Sequence, residues 1–573
     1  MISIVVESAS VKVKGITDGL HAHADECETN DFRVIFKGSS RFRAELRTAF
    51  AADDALKSVS PEEPGWWVHI DKHHYRVVAR GDLLGAFPLY WAVEKNNLHF
   101  FDRMAGAGVG LAYVPDETGV IQFIRNGYCV GNRTLFKRLY RLRPGESLEW
   151  TPGGSPRLSD ESTLWTSWDT RDPSVIVDEA SERWLEACHS LDNAVLMFSG
   201  GWDSRTLLAG ALNQKCEVTL YTHGDIGSRE AQIARRIGVD HSIDQRMREI
   251  DASMFEPDFI ARSAQRYENV VFPHWHAASE FIGDRPVCAG IYGAVFGGHN
   301  GPVMFAQGWK KPIALLRTLY GKDETFHQQA DGLEQARAVL SGPTKYQEPW
   351  YVSSERWLAG YRDVAESSNE DVAREIDRYR NRGIASSVAL IEAFATEHRG
   401  TQYMLAQLHS AAASGDFVNP FANASIVRLA CRIPYSLKVH NILNKRVISR
   451  IFPELLRYPL AATLCKASRP LLVQEMSRLV RKTIEEGHWW LSSKTHGAIA
   501  QPHFGWVDFK FMADGGVLDG LVDSLNYDLF DKVKMRALCG QIVAMNRSLH
   551  PLMDMLMKIK TVDGILSFKA EST

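Results

Sequence analysis

The chain has 573 residues, with 66 Lys+Arg against 69 Asp+Glu and a formal net charge of -3. Hydrophobic residues make up 45% and charged residues 24%, which excludes a disordered or fibrous protein, and the length exceeds what one core of about 250–300 residues fills. The near-neutral balance gives no electrostatic case for a nucleic-acid partner, and no apolar run of about 18 residues marks a membrane span.

The first residues, MISIVVESASVKVKG, lack the charged start, apolar stretch and cleavage site of a secretory signal. Residues 1–150 then carry short apolar or alternating runs: Ile2–Val6, Phe32–Phe36, Trp66–Ile70, Tyr75–Ala79 and Leu98–Phe101. Gly, Asp and Asn separate them, which predicts a strand-rich domain of hairpins. Arg141–Trp150 reads as its last turn and strand, and the Pro, Gly, Ser and Asp of 151–173 read as a linker. From 174 the period changes. Val175–Ser190 predicts a helix, Ala194–Phe198 a strand, Ser204–Leu212 a helix, Glu217–Tyr221 a strand and Glu230–Ile237 a helix. Strands alternating with helices argue for a parallel α/β sheet. From Lys311 the helical period dominates, as in Val388–Ser414 and Ile426–Ala430, and residues after about 480 give no clear pattern.

Eight cysteines are scattered, at 27, 129, 188, 216, 288, 431, 465 and 539, and none forms a C-x-x-C pair. No zinc or redox motif is indicated, and the expectation is a reducing cytoplasm with the thiols as small buried hydrophobes.

The segment with chemistry is Ser199-Gly200-Gly201-Trp202-Asp203-Ser204, between an apolar strand and a helix. Two glycines let the backbone turn tightly and approach a phosphate. Successive N–H groups and a helix N-terminus favour an anion. Ser199 and Ser204 add hydroxyl donors, and Asp203 can hold Mg²⁺. No Lys closes the loop, so it is not a P-loop.

Ser-Gly-Gly-x-Asp-Ser resembles the pyrophosphate-binding loop of the ATP pyrophosphatase superfamily, whose members cleave ATP between the α- and β-phosphates and adenylate a substrate. Gly81-Asp82-Leu83-Leu84-Gly85-Ala86-Phe87-Pro88-Leu89-Tyr90-Trp91 resembles the (R/G)D-x-x-G-x-x-PLYY stretch of the asparagine synthetase family. Asn126-Gly127-Tyr128, Thr134-Leu135-Phe136 and Leu142-Arg143-Pro144-Gly145-Glu146 match the end of that family's N-terminal domain in kind and order. Asn444–Pro453 resembles its K-x-x-L-R segment, with Ser449 where the Arg would stand.

The resemblance implies a glutaminase-like, Ntn-type domain over 1–150 and an ATP-binding synthetase domain over 174–573, using ATP and Mg²⁺. It places Lys445 and Tyr292 as catalytic residues, Ser199, Gly200, Gly201, Asp203 and Ser204 on pyrophosphate, and Thr222, His223 and Gly224 against adenine and ribose, with Gly290 binding the nucleotide from a neighbouring loop. Asp203 would be the metal ligand. Lys466 and Arg469 follow in a stretch placed to close over phosphate.

Two departures matter. Glutamine-using members carry a cysteine directly after the initiator Met, and here Ile2 stands there. The N-terminal domain is therefore expected to be an inactive remnant, as in β-lactam synthetases and lasso-peptide macrolactam cyclases, and the amine to sit on the substrate. The family's second metal-binding Asp falls at Gly293, followed by Ala294. Either Asp203 alone suffices, since Mg²⁺ keeps several waters, or Asp225 or Glu230 supplies the missing oxygen.

The expected activity is adenylation of a carboxylate followed by attack of a substrate amine, a lasso-type peptide macrolactam first and a small-molecule amide or lactam second. A precursor-processing protein would be the partner. A non-catalytic scaffold is the competing reading, and a tRNA- or sulfur-transfer member a third. Phe272-Pro273-His274-Trp275-His276 reads as a pocket wall or helix start rather than a metal site. Trp66-Trp67, His73-His74 and Trp489-Trp490 read as packing pairs.

Overall fold

The computed structural model describes residues 2–7, 10–15, 24–51, 63–111, 114–160, 162–268, 273–301, 303, 315–316, 318–319, 361–413, 416–495, 507, 509–544 and 549–568. The expectations for Phe272 and Ser414 and for helix over 311–314, 317 and 320–360 lie outside them.

Period-two patterning makes the early elements. β1 (Ile2–Val6) buries every second residue. β2 (Val11–Gly15), β3 (Asp25–Glu28), β4 (Phe32–Gly38), helix α1 (Ser40–Ala51), β5 (Gly65–Asp71), β6 (Val77–Arg80), β7 (Tyr90–Glu94) and β8 (Asn97–Phe101) follow. Then come α2 (Met104–Gly110), α3 (Glu117–Asn126), β9 (Tyr140–Arg141), β10 (Glu146–Trp150) and β11 (Arg157–Asp160). They form two antiparallel sheets, ordered β2-β1-β8-β7-β9 and β11-β10-β6-β5-β4-β3. Ile4, Val6 and Phe100 of one sheet share a buried core with Trp66, Val68 and Leu148 of the other. On the far side of the six-stranded sheet, Phe42 and Leu46 of α1 cover Val34, Phe36 and Trp67.

Four of the five apolar runs fall wholly in strands, and of Tyr75–Ala79 the last three residues do, Tyr75 and Arg76 preceding β6. Helix α1 between these runs, and α2 and α3 after them, depart from the strand-rich expectation; α3 is marked by Asp116, whose side chain accepts from Gly119 N. The Gly81–Trp91 stretch is a corner: Asp82 accepts from the N–H groups of Leu84 and Ala86, and Gly85 has φ +62. β11 lies inside the expected linker and pairs with β10, so part of 151–173 belongs to the sheet.

The second half is built on a parallel sheet. α4 (Pro173–Cys188), β12 (Ala194–Met197), α5 (Trp202–Asn213), β13 (Val218–His223), α6 (Arg229–Asp240), β14 (Gln245–Arg248), α7 (Pro257–Tyr267), α8 (His274–Ile282), β15 (Val287–Ala289) and α9 (Gly293–Gly297) follow one another. The strand order is β14-β13-β12-β15, all parallel. β12 is AVLM, buried at every position, as a strand covered on both faces must be. The chain leaves β12 for β13 and β14 on one side and returns to β15 on the other, so the order reverses beside β12. Ligands of open α/β sheets bind at such a point, beyond the carboxyl ends of the strands.

Beyond β15, Ser387–Ala395 is helical, Thr396–Met404 is a π-helix and Leu405–Ala411 returns to α. Helices Ala424–Ala430, Ile442–Ile451 and Leu471–Lys494 follow. The last helix, His550–Leu566, is buried along most of its length and joins Tyr90, Phe101, α3 and α7 in a second core. The C-terminal residues, unreadable in sequence, thus pack against the N-terminal sheet. Among the described residues no helix is long and apolar enough to cross a membrane.

Five cysteines are buried and three half-buried, all free. Trp66 and Trp67 do pack, on opposite faces of β5. The other two pairs depart from the expectation: His73 and His74 sit in an exposed turn beside Asp31 and Asp71, and Trp490 is 55% exposed.

Candidate nucleotide site

The loop Ser199–Gly201 leaves the end of β12 and enters α5. Gly200 takes φ +69, and a Cβ there would stand 2.9 Å from Ile233 Cγ2. Gly201 is the N-cap of α5 and supplies no side-chain cap, so the first-turn N–H groups are left for another acceptor. Ser199 Oγ accepts from Gly201 N at 3.3 Å and lies 3.5 Å from Ser204 Oγ.

The loop is fastened from behind by Arg205, a residue to which sequence reasoning assigned no role. Its side chain is fully buried. Nε donates to Gly200 O at 2.7 Å, and the guanidinium also reaches the carbonyls of Leu455, Tyr458 and Pro459. Its five donors in a rigid fork suit this arrangement.

A cavity of about 390 Å³ opens at the strand ends. It brings together Ser199, Gly201, Asp203, Ser204, Thr222, His223, Glu230 and Gly290. Tyr221, Trp275, Met404, Gln407 and His550 also line it. Trp275 is the expected pocket wall. Met404 closes the π-helix, a feature that gathers at functional sites. His550 comes from the last helix, with no signal in the sequence to mark it.

Other expected residues stand elsewhere. Lys445 is not among the lining residues: its ammonium donates to the carbonyls of Ser468 at 3.0 Å and Arg469 at 2.6 Å. Lys466 and Arg469 are exposed and do not line the cavity. Tyr292 is buried behind it, with its hydroxyl 3.1 Å from Thr401 Oγ1. Gly224 and Asp225 lie in the turn after β13; Gly224 N donates to Arg248 O, and Asp225 O accepts from Ser228 N. Thr222 reaches the cavity, but its hydroxyl donates to Phe198 O at 2.7 Å.

Burial sets the electrostatics. It pushes the Asp203 carboxyl up, against the pull of His299 and the Asn444 amide, and it raises Glu230. It drives His223 down to about 3, so that ring is neutral. His223 meets His274 edge-on at 4.2 Å and Trp275 at 5.4 Å, giving an uncharged aromatic wall. His274 and His276 part company on α8: the first packs on His223, and the second approaches Ser410 O.

Among the described residues no group of three or more His, Cys, Asp or Glu is placed to hold a metal ion. Gly293 explains part of this. A Cβ there would lie 2.5 Å from Asp203 Cγ and 2.7 Å from Oδ1, so the space of a second carboxylate is filled by Asp203. One carboxylate with nucleotide phosphates and water still suits Mg²⁺, which keeps several waters.

No known protein family matches the chain, and no curated protein does. Among solved structures, glutamine phosphoribosylpyrophosphate amidotransferase from B. subtilis, complexed with ADP and GMP, is similar over 43% of this chain and 59% of its own, at 9% identity and a TM-score of 0.16. That likeness spans less than two thirds of the amidotransferase and carries no argument.

Proposed function

We propose that this chain is an ATP-dependent amide-forming ligase that adenylates a substrate carboxylate and lets an amine of the substrate displace AMP. The observation that carries the reading is the Ser199–Ser204 loop, which sits at the reversal point of a parallel sheet and opens with Asp203 into one cavity. In this reading the open N–H groups of the loop and the start of α5 bind the departing pyrophosphate. The neutral wall of His223 and Trp275 takes the adenine by its faces. Mg²⁺, carried in with the phosphates, would be held by Asp203 and would offset their charge. The finer fold assignment belongs to the same proposal: an Ntn-like sandwich before an adenine-nucleotide-hydrolase-like sheet.

The amine is assigned to the substrate because the N-terminal sheets offer no activated thiol. The cysteines of the first 150 residues are Cys27 and Cys129. Burial pushes both thiols up, the reverse of what a nucleophile needs. An amine on the same molecule also gains a large effective concentration, which suits ring closure. A lasso-type peptide macrolactam is the proposed product class, and a small-molecule lactam or amide the alternative.

A non-catalytic scaffold is the second reading. It draws on Lys445, whose ammonium must leave two carbonyls before it can serve an α-phosphate.

The test is calorimetric titration of ATP with and without Mg²⁺, beside Asp203→Ala. Mg²⁺-dependent binding that Asp203→Ala removes, with cooperative unfolding retained, supports the ligase. No binding under either condition overturns it.

A further inference from the structure

Asp203 is held by a chain of two side-chain amides and an imidazole. Asn444 Nδ2 donates to Asp203 Oδ1 at 3.0 Å and to Asn441 Oδ1 at 3.0 Å. His299 Nε2 lies 2.9 Å from the same Asn441 oxygen. That oxygen can only accept, so Nε2 carries the proton. The direction of donation is therefore fixed. Reversing the Asn444 amide would set its oxygen against two others.

Two further observations show that this arrangement is held against resistance. Asn444 is fully buried, and its Oδ1 has no hydrogen-bond partner among the described residues, a rare condition for a buried acceptor. His440 and Asn441 both take left-handed backbone, with φ 53 and 65. Consecutive non-glycine residues in that region carry strain, which gathers where function requires a set geometry. The kink turns Asn441 away from capping its own helix, Ile442–Ile451, which has no side-chain cap bond, and toward Asn444 and His299.

The glycine loop closes on the same groups. A Cβ at Gly297 would lie 2.5 Å from Asn441 Oδ1 and 3.1 Å from Asn444 Nδ2. A Cβ at Gly290 would lie 2.7 Å from Asp203 Cβ. The loop is glycine-rich because it lies directly on this chain of amides.

We infer that Asn444, set by Asn441 and His299, is a positioning residue for Asp203, and that this trio does the orienting where no second carboxylate has room. It engages Oδ1 and leaves Oδ2 without a hydrogen bond among the described residues. The inference rests on the reading of Asp203 as the carboxylate beside the phosphates.

The test uses the full chain and Asn444→Ala, with two readouts. In calorimetry, the Mg²⁺-dependent gain in ATP affinity falls roughly tenfold or more, the size of one charge-assisted hydrogen bond, while metal-free ATP affinity stays unchanged. Equal loss with and without Mg²⁺ marks a structural role and overturns the inference. In ligand-free crystals, the Asp203 side chain leaves its place against Gly293. An unmoved Asp203 overturns the inference. If the wild-type protein binds no ATP, the ligase reading falls, and the ligand-free structure alone decides the positioning. If Asn444→Ala does not fold, His299→Ala, one bond further along, is put to the same two measurements.

Discussion

Replacing Gly293 by Asp restores, on paper, the second acidic residue of the asparagine synthetase pattern. The structure predicts that it disables the site instead. The new Cβ would stand 2.5 Å from Asp203 Cγ and 2.7 Å from its Cβ and Oδ1, distances that force one side chain to move. Overpacking of this kind costs about 1–3 kcal/mol. Two carboxylates about 4 Å apart repel by about 4 kcal/mol at an effective dielectric of about 20. Burial already raises Asp203, so the pair relieves part of this by sharing a proton. The expected loss is about 3–5 kcal/mol, a large fraction of a typical folding stability of about 5–15 kcal/mol. Urea unfolding measures it as a lowered midpoint at unchanged slope. Gly293→Ala isolates the steric part, and Asp203→Ala with Gly293→Asp recovers most of the loss. A Gly293→Asp variant as stable as wild type, with tighter Mg²⁺-dependent ATP binding, would refute the reasoning.

Arg205→Met takes the side-chain donor from four carbonyls, of which Tyr458 O keeps the N–H of Ala467, and is expected to cost about 3 kcal/mol or more, with weaker ATP binding because the loop behind Gly200 is released. Arg205→Lys should rescue little of it, for lack of a fork; a denaturation loss under about 1 kcal/mol in the Met variant would count against the assignment. Glu397 supplies an acid limb. Burial pulls its carboxyl up, but Arg382 and Arg378 outweigh this and hold it down to about 2. Its contribution is therefore complete above the unfolded carboxyl value of about 4.3 and is lost as pH falls through about 2. Glu397→Gln should lower stability at pH 7 and flatten the decline between about pH 5 and 2. Parallel profiles for the two proteins would contradict the pairing.

What the sequence by itself determined was local. The apolar run Ala194–Phe198, the two glycines and the helix after them are read from neighbours in the chain, and the strand, loop and helix formed where the periods and turn residues placed them. The alternation of strand and helix likewise settled that the second sheet would be parallel. The stretch at 151–173 misled because turn residues flank β11 without excluding a strand at the sheet edge. Tertiary structure decided the rest. Lys445 has the right neighbours in sequence, yet its long side chain takes the nearest carbonyls, those of Ser468 and Arg469. Tyr292 sits one residue past the cavity and points to Thr401. His550 reaches the site from the far end of the chain. Arg205, Asn441 and Asn444 are ordinary polar residues until packing removes water from them. A pocket wall is a surface shared by elements distant in sequence, and no local period records which side chain turns toward it.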